Sequence, residues 1–204
     1  MAAHLNTGSP QPGARTRLRR LPEKASFDRA DLDSILDTGR VAHVGIDGPF
    51  VIPMGYARDS DRVLIHGSTG SRLLRTLAGG APACLTVTLL DGLVLARSAF
   101  ESSMNYRCAM VFGSFSTVDG PDKLPALRVL SDHLLPDRWP LLRPPLAKEL
   151  AATLVLALPL IEWSVKVSDG PPDDPPEDLD WPVWAGVIPI TETLGTPVPA
   201  PERT

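Results

Sequence analysis

Three segments of this chain combine residue types that could hold a charged, planar ligand. In Arg62-Val-Leu-Ile-His-Gly-Ser-Thr-Gly-Ser-Arg-Leu-Leu-Arg75, an apolar run ends in glycines and hydroxyls and gives way to leucines at helical spacing. A strand-to-helix turn from His66 to Arg72 leaves backbone N–H groups free, aims a helix dipole at an anion and offers Ser68, Thr69 and Ser71 as donors. Arg72, with Arg75 nearby, would add charge-assisted bonds to a phosphate. The same residues also suit an ordinary capped helix with its arginines in solvent. They match neither a Walker loop nor a GxGxxG fingerprint, so a nucleoside triphosphate or NAD is not implied.

The second segment is Gly48-Pro-Phe-Val-Ile-Pro-Met-Gly-Tyr56. Pro53 inside a strand removes a ladder donor, which marks a sheet edge or a place where a flat ligand meets the backbone. The third is Ser98-Ala-Phe-Glu-Ser-Ser-Met-Asn-Tyr-Arg-Cys-Ala-Met-Val-Phe-Gly113, where Ser102, Asn105, Tyr106 and Arg107 either line a pocket rim or sit in a solvated loop. Cys108, among Ala109, Met110 and Val111, reads as a buried thiol without a base to activate it. His4, His43, His66 and His133 fall in unrelated segments without ligand spacing, and no Ser/His/Asp arrangement stands out. No residue is singled out as a catalytic acid or base, and no metal site is expected.

The elements that must position these segments are mostly strands. Asp28 caps a short helix whose stripe is Leu32, Ile35 and Leu36 and whose stop is Gly39. Apolar runs follow at Val41 to Ile46, Phe50 to Tyr56, Arg62 to His66 and Ala83 to Leu89, with Leu93 to Ala96 a further candidate. Turn formers separate them at Asp47-Gly-Pro49, Arg58-Asp-Ser-Asp61 and Asp91-Gly92. Asp91-Gly92 is the clearest short hairpin signal, because a type I′ turn needs positive φ at both central residues.

Tyr106 to Val118 reads as one long strand bent or bulged at Gly113. Ser71 to Gly79 forms a helix on Leu73, Leu74 and Leu77. Pro121 to Leu135 forms another, with Pro121 in its first turn and Leu124, Leu127, Leu130 and Leu134 on its face. Arg143 to Ala152 is a third short helix, and strand material runs from Thr153 to Val167. Strands joined by hairpins, without regular βαβ alternation, predict a mostly β fold, an antiparallel barrel packed by outer helices.

The chain has 204 residues, 43% of them hydrophobic, enough for one core. Residues 1–14 read as a disordered tail, 15–190 as one domain and 191–204 as a Pro-rich tail, with the Pro- and Asp-rich stretch from Asp169 to Asp180 an excursion from that domain. A net charge of −4 argues against nucleic acid or anionic lipid as partner, and the Arg15, Arg17, Arg19 and Arg20 cluster reads as a solvated strand. Cys84 and Cys108 lack CxxC spacing, which fits a reducing, cytoplasmic setting. The longest apolar run, Ala151 to Ile161, contains Pro159 and is too short to span a membrane.

Taken in order, these stretches resemble the FMN-binding split-barrel superfamily of pyridoxamine 5′-phosphate oxidase, in particular its nitroimidazole-reductase-like branch. The resemblance runs from about Arg17 to Pro189 and is carried by Gly39 to Gly45, Val51 to Tyr56, Leu64 to Ser68 with Ser71-Arg72, Asp91 to Phe100, Asn105 to Cys108 with Val111 to Gly113, and Val183 to Pro189. It implies a split-barrel homodimer with FMN at the subunit interface. Pro53, Met54 and Tyr56 would lie along the isoalloxazine edge, and His66, Gly67 and Ser68 near the ribityl-phosphate. Ser71 and Arg72 would hold the phosphate itself. Asn105, Tyr106, Arg107 and Cys108 match a flavin-contacting segment, and Trp184 would cover the flavin or substrate. The chain departs from the family pattern at Cys108, where serine is usual, and at Leu73, where a second basic residue often stands. The activity implied is an oxidoreductase passing electrons from a nicotinamide donor through the flavin to a small nitro-aromatic or quinone-like acceptor. The alternative is a non-catalytic sensing or storage protein for flavin, a deazaflavin cofactor or haem, with His43 or His66 as a haem ligand.

Overall fold

A computed structural model describes residues 13–201. The tail expected over residues 1–14 therefore lies outside the described residues except at Gly13 and Ala14. The elements are, in chain order, β1 (Ala25–Ser26), α1 (Arg29–Thr38), β2 (Val41–Ile46), β3 (Phe50–Asp59), β4 (Arg62–Ser68), α2 (Arg72–Ala78), β5 (Pro82–Leu95), β6 (Ser103–Ser114), β7 (Ser116–Thr117), α3 (Lys123–Leu134), α4 (Ala147–Ala151), β8 (Thr153–Pro159), β9 (Glu162–Ser168) and β10 (Gly186–Pro189). They fall into two compact units, one formed by the residues up to Leu89 and Arg107–Ser168, the other by Leu90–Tyr106 and the chain from Asp169 on.

The first helix forms as the sequence predicts. The Asp28 side chain accepts from the Ala30 N–H, Leu32, Ile35 and Leu36 are buried, and Gly39 closes the last turn onto Ile35. Burying such a stripe contributes roughly 1.5–3 kcal/mol per side chain. α2 likewise starts at Ser71, whose Oγ accepts from the Leu74 N–H, and buries Leu73, Leu74 and Leu77.

The sheet runs in the order β1-β9-β6-β5-β2-β3-β4-β8-β7, with β1–β9, β5–β2, β2–β3, β3–β4, β4–β8 and β8–β7 paired antiparallel. Only Phe115 separates β6 from β7, yet β6 lies between β9 and β5 whereas β7 pairs with β8 at the far edge. Gly113, with φ of +157°, lies two residues before this switch, where the chain passes from beside β9 and β5 to the β8 edge of the sheet, as closure into a barrel requires. The expected single strand from Tyr106 to Val118 is thus Ser103–Ser114 plus a short β7. Inside the curl lies the main core, with Val44, Tyr56, Ile65, Leu85, Val111, Leu156 and Trp163 among its members. A second cluster, around Leu64, Val155 and Ala157, lies under Ala126 and Leu130 of α3.

Several expectations need correction. Asp91-Gly92 is not a hairpin: β5 continues through it, Gly92 lacks positive φ, and its backbone pairs with Pro189 of β10. A Cβ on Gly92 would meet the Ile188 carbonyl and Val187 Cγ1, both at 3.1 Å, so glycine stands here to let β10 approach. The helix expected over Pro121 to Leu135 starts at Lys123, with Pro121 in a preceding 3-10 turn. Its buried residues are Ala126 and Leu130, and Leu124 and Leu134 are exposed. The Arg143 to Ala152 helix shrinks to Ala147–Ala151, because Pro144 and Pro145 cannot donate to a helix ladder.

In the second unit, Arg97 ties the connector after Asp169 to the strand end. Its N–H and Nη1 donate to Asp174 at 2.8 and 2.7 Å. Asn105 Nδ2 donates to the Gly170 carbonyl at 2.9 Å.

Candidate functional site

The site follows from how β3 and β4 pair. Tyr56 to Asp59 pair with Arg62 to Ile65, and there the ladder stops. Beyond it, Phe50 to Gly55 pair only with β2, while His66 to Ser68 pair only with β8. The strands part, and α2 starts just past the parted end of β4. Between them opens a cleft of about 300 Å³, with Ile46, Phe50, Ile52 and Met54 on one wall and Ser71, Arg72 and Leu73 on the other. Its volume and apolar lining with a few polar groups are those of a small-molecule site. A hollow of about 530 Å³ beside Gly13, Ala14, Arg17 and Arg19 has no helix or strand for a wall.

Alternation decides which residues face the cleft. Phe50, Ile52 and Met54 share a strand face with Tyr56, which lies deeper and is fully buried. Its hydroxyl donates to the Leu36 carbonyl at 2.8 Å, and burial raises its pKa. The Tyr56 side chain is therefore a core residue rather than a flavin edge. Pro53 lies on the opposite face, beside His43 of β2. The expectation that its strand is an edge at that point is met. Phe50, Ile52 and Ile46 are the site residues that sequence reasoning passed over, although the alternation Phe50, Ile52, Met54 carries them.

His66, Gly67 and Ser68 belong to β4, so the turn is only Thr69 to Ser71. Its N–H groups are already used: Thr69 donates to the Ala152 carbonyl, Gly70 to Ser68 Oγ and Ser71 to the Ser68 carbonyl. The turn's own amides are thus spent, and of the donors expected there only the Arg72 and Leu73 N–H groups at the start of α2 have no partner among the described residues, beside the side chains of Ser71 and Arg72. Gly67 has a packing role, since a Cβ would stand 2.7 Å from Leu74 Cδ1 and force that side chain of α2 to move. His66 has an exposed side chain, and partial desolvation lowers its pKa. His133 is engaged elsewhere, its Nε2 2.7 Å from the Gly39 carbonyl.

Arg72 is exposed, and its guanidinium lies over the Phe50 ring, 4.7 Å from the centroid. Among the described residues no carboxylate is paired with it, whereas Arg29, Arg58, Arg62, Arg97 and Arg143 each hold one. The other expected site residues lie apart from this group in sequence and in element. Arg107 and Cys108 are half-buried on β6, where Cys108 Sγ accepts from Thr88 Oγ1 at 3.4 Å. The thiol is thus half-exposed rather than buried. Asn105 and Tyr106 belong to the second unit, and the Asn105 amide is buried in its bond to Gly170. Trp184, also in the second unit, is 62% exposed and its ring lies where a Cβ on Gly186 would be, 2.8 Å from Cζ2. Among the described residues no cluster of His, Cys, Asp or Glu could hold a metal ion, and no helix is long and apolar enough to cross a membrane.

A sheet that parts between β3 and β4 around such a cleft is the split of a split barrel. The family model described as pyridoxamine 5′-phosphate oxidase matches residues 28–167. The chain belongs to this family. Among solved structures it is similar to the FAD and heme binding protein from Mycobacterium smegmatis, with 48% identity and a TM-score of 0.86 over 89% of this chain and 91% of that one. It is also similar to the flavocytochrome Anf3 from Azotobacter vinelandii, with 42% identity and a TM-score of 0.89 over 96% and 93% of the two chains. A putative 5-nitroimidazole antibiotic resistance protein from Bacteroides thetaiotaomicron shares the fold, at 21% identity and a TM-score of 0.60 over 70% and 86%. No curated protein sequence matches the chain.

Proposed function

We propose that this family member is a flavin-nucleotide-binding oxidoreductase whose flavin enters the cleft between β3 and α2, with its ribityl phosphate at Arg72 and Ser71. The observation that carries this reading is the cleft itself, an apolar wall facing an arginine that no described carboxylate neutralises. A flat aromatic ring suits the wall of Phe50, Ile52 and Met54. A phosphate suits the guanidinium and the Ser71 hydroxyl, which keeps its proton to donate while accepting from Leu74.

FMN and FAD share that phosphate, and the name of the similar Mycobacterium smegmatis protein favours FAD over the FMN that the family resemblance suggests. Bound flavin would supply hydride and electron transfer, with the protein orienting it and excluding water. A nicotinamide donor and a small nitro-aromatic or quinone-like acceptor complete the proposed reaction. A homodimer, with the flavin at the subunit interface, fits the exposure of Val41 (50%) and Val51 (64%) on β2 and β3, and light scattering in solution tests it. The free thiols Cys84 and Cys108 suit the cytoplasm.

The test is an absorption spectrum of the purified protein and mass spectrometry of whatever is released on denaturation. Flavin bands bleached by NADPH support the proposal, and a colourless protein that stays so after FMN and FAD are added ends it. The second reading, haem beside or in place of flavin, rests on the heme-binding and flavocytochrome names of the two similar structures. His66 is the better candidate ligand, because its lowered pKa keeps the imidazole neutral near pH 7 and it adjoins the turn at the cleft. His43 is the other exposed imidazole among the described residues. A Soret band lost in His66→Ala supports this reading, and one that survives both His66→Ala and His43→Ala removes these ligands.

A further inference from the structure

A phosphate at the cleft would need Arg72 held in place to meet it. Arg72 is exposed and, among the described residues, has no carboxylate partner. A long side chain in that position spreads over several rotamers, and ordering it on ligand binding costs entropy. Here its guanidinium rests over the ring of Phe50, 4.7 Å from the centroid, and this contact reaches across the cleft from α2 to β3.

Phe50 is itself held. It is the first residue of β3 and pairs with Ile46 of β2, just after a turn in which Gly48 has φ of +117°. A Cβ on Gly48 would stand 3.7 Å from the Phe50 ring, so the ring, though exposed, lies against this turn at the mouth of the cleft. We propose that Phe50 is a positioning residue for Arg72: its ring is the platform on which the guanidinium waits, already at the mouth of the cleft, for the phosphate of the ligand.

The chemistry suits arginine and not lysine. Stacking occupies the flat face of the guanidinium and leaves its N–H donors, all in the plane, free for a two-pronged bond to phosphate. It also explains how one cation serves where the family pattern often has two. Leu73, at the second position, is 9% exposed and belongs to the core, so compensation comes from Arg75 or from holding Arg72 better, and the Phe50 contact supplies the latter.

The inference rests on the flavin-nucleotide reading, and the experiment separates the two. Affinities of the full chain for FMN, FAD and riboflavin are measured by fluorescence for wild type, Phe50→Leu, Phe50→Tyr, Arg72→Ala and the Phe50→Leu/Arg72→Ala double variant. Riboflavin has the ring without the phosphate, so the ratio of phosphorylated flavin to riboflavin isolates the phosphate contact from the apolar wall. Phe50→Leu is expected to lower that ratio about two- to fivefold, the value of an exposed cation–π contact. Phe50→Tyr should keep it, and the double variant should fall no further than Arg72→Ala. Thermal melts check that each variant is folded. Equal losses for all three ligands in Phe50→Leu, or an unchanged ratio, would overturn the positioning role while leaving the flavin site standing. A wild-type chain that binds none of the three would overturn the flavin reading and this inference with it.

Discussion

The two ends of the β3–β4 pair make the instructive contrast in this molecule. At one end Tyr56 to Asp59 meet Arg62 to Ile65 in register, with Tyr56, Ala57, Leu64 and Ile65 fully buried. Arg58 there binds Asp37 through Nε and Nη2 at 2.8 and 2.6 Å. At the other end the same two strands part, and exposed Phe50 and Ile52 face Arg72, for which no described carboxylate is a partner. The paired end satisfies every kind of group it buries, and the parted end leaves apolar surface and a positive charge open. Fold and site are thus divided along single strands, with Tyr56 and Met54 two residues apart on the same face of β3 but on opposite sides of the division.

That division can be tested by substitution. Tyr56→Ala should cost about 3–5 kcal/mol in chemical denaturation, since it empties a fully buried site and strands the Leu36 carbonyl. Gly67→Ala, at the start of the parted end, should cost roughly 1–3 kcal/mol, and Leu74→Ala in the same chain should recover part of it if the clash between them is the cause. Met54→Ala should cost about 1 kcal/mol or less in stability but weaken flavin binding, and a loss as large as that of Tyr56→Ala would erase the contrast.

Arg58→Met at the paired end should cost under about 1 kcal/mol, because its carboxylate partners are partly exposed and water screens the pairs. The smallest effect concerns His66. A histidine whose folded pKa is depressed binds fewer protons in the native state than in the unfolded one. Its contribution is complete above the ordinary histidine value and declines as pH falls through it towards the lower folded pKa. His66→Gln should therefore flatten the pH dependence of stability just below pH 6.5, the ordinary histidine value, and NMR titration of the ring should give a midpoint under it.

Much of the fold could be read from residue order because local signals and tertiary packing agree. Asp28 with Gly39 and Ser71 with Gly79 bracket helices that form where the caps stand. Asp91-Gly92 failed because its local preference is overruled by a strand nearly a hundred residues further on, which no short window can register. The leucines of α3 misled because spacing gives a face but not which part of that face meets the sheet.

The site was half legible. Ser71 and Arg72, named from the turn, and Met54, named from the family resemblance, line the cleft, and the cleft-facing Phe50 and Ile52 were available from alternation alone. Missed was the use of the turn's amides: Gly70 and Ser71 donate back to the Ser68 hydroxyl and carbonyl, a local turn, and Thr69 donates to the Ala152 carbonyl, which only the arrival of the α4–β8 junction beside the turn makes available. Tyr56 was misplaced because strand alternation gives the face but not the depth at which the barrel closes over it.

The passage of β5 through Asp91-Gly92 also bears on the order in which the chain is made. Synthesis runs from the N-terminus, so Asp91 and Gly92 leave the ribosome well before Gly186–Pro189, the strand that pairs across them. Until then the dipeptide has only its own preference, which is to reverse the chain. The ladder over Asp91-Gly92 can therefore form only once the C-terminal segment has been made.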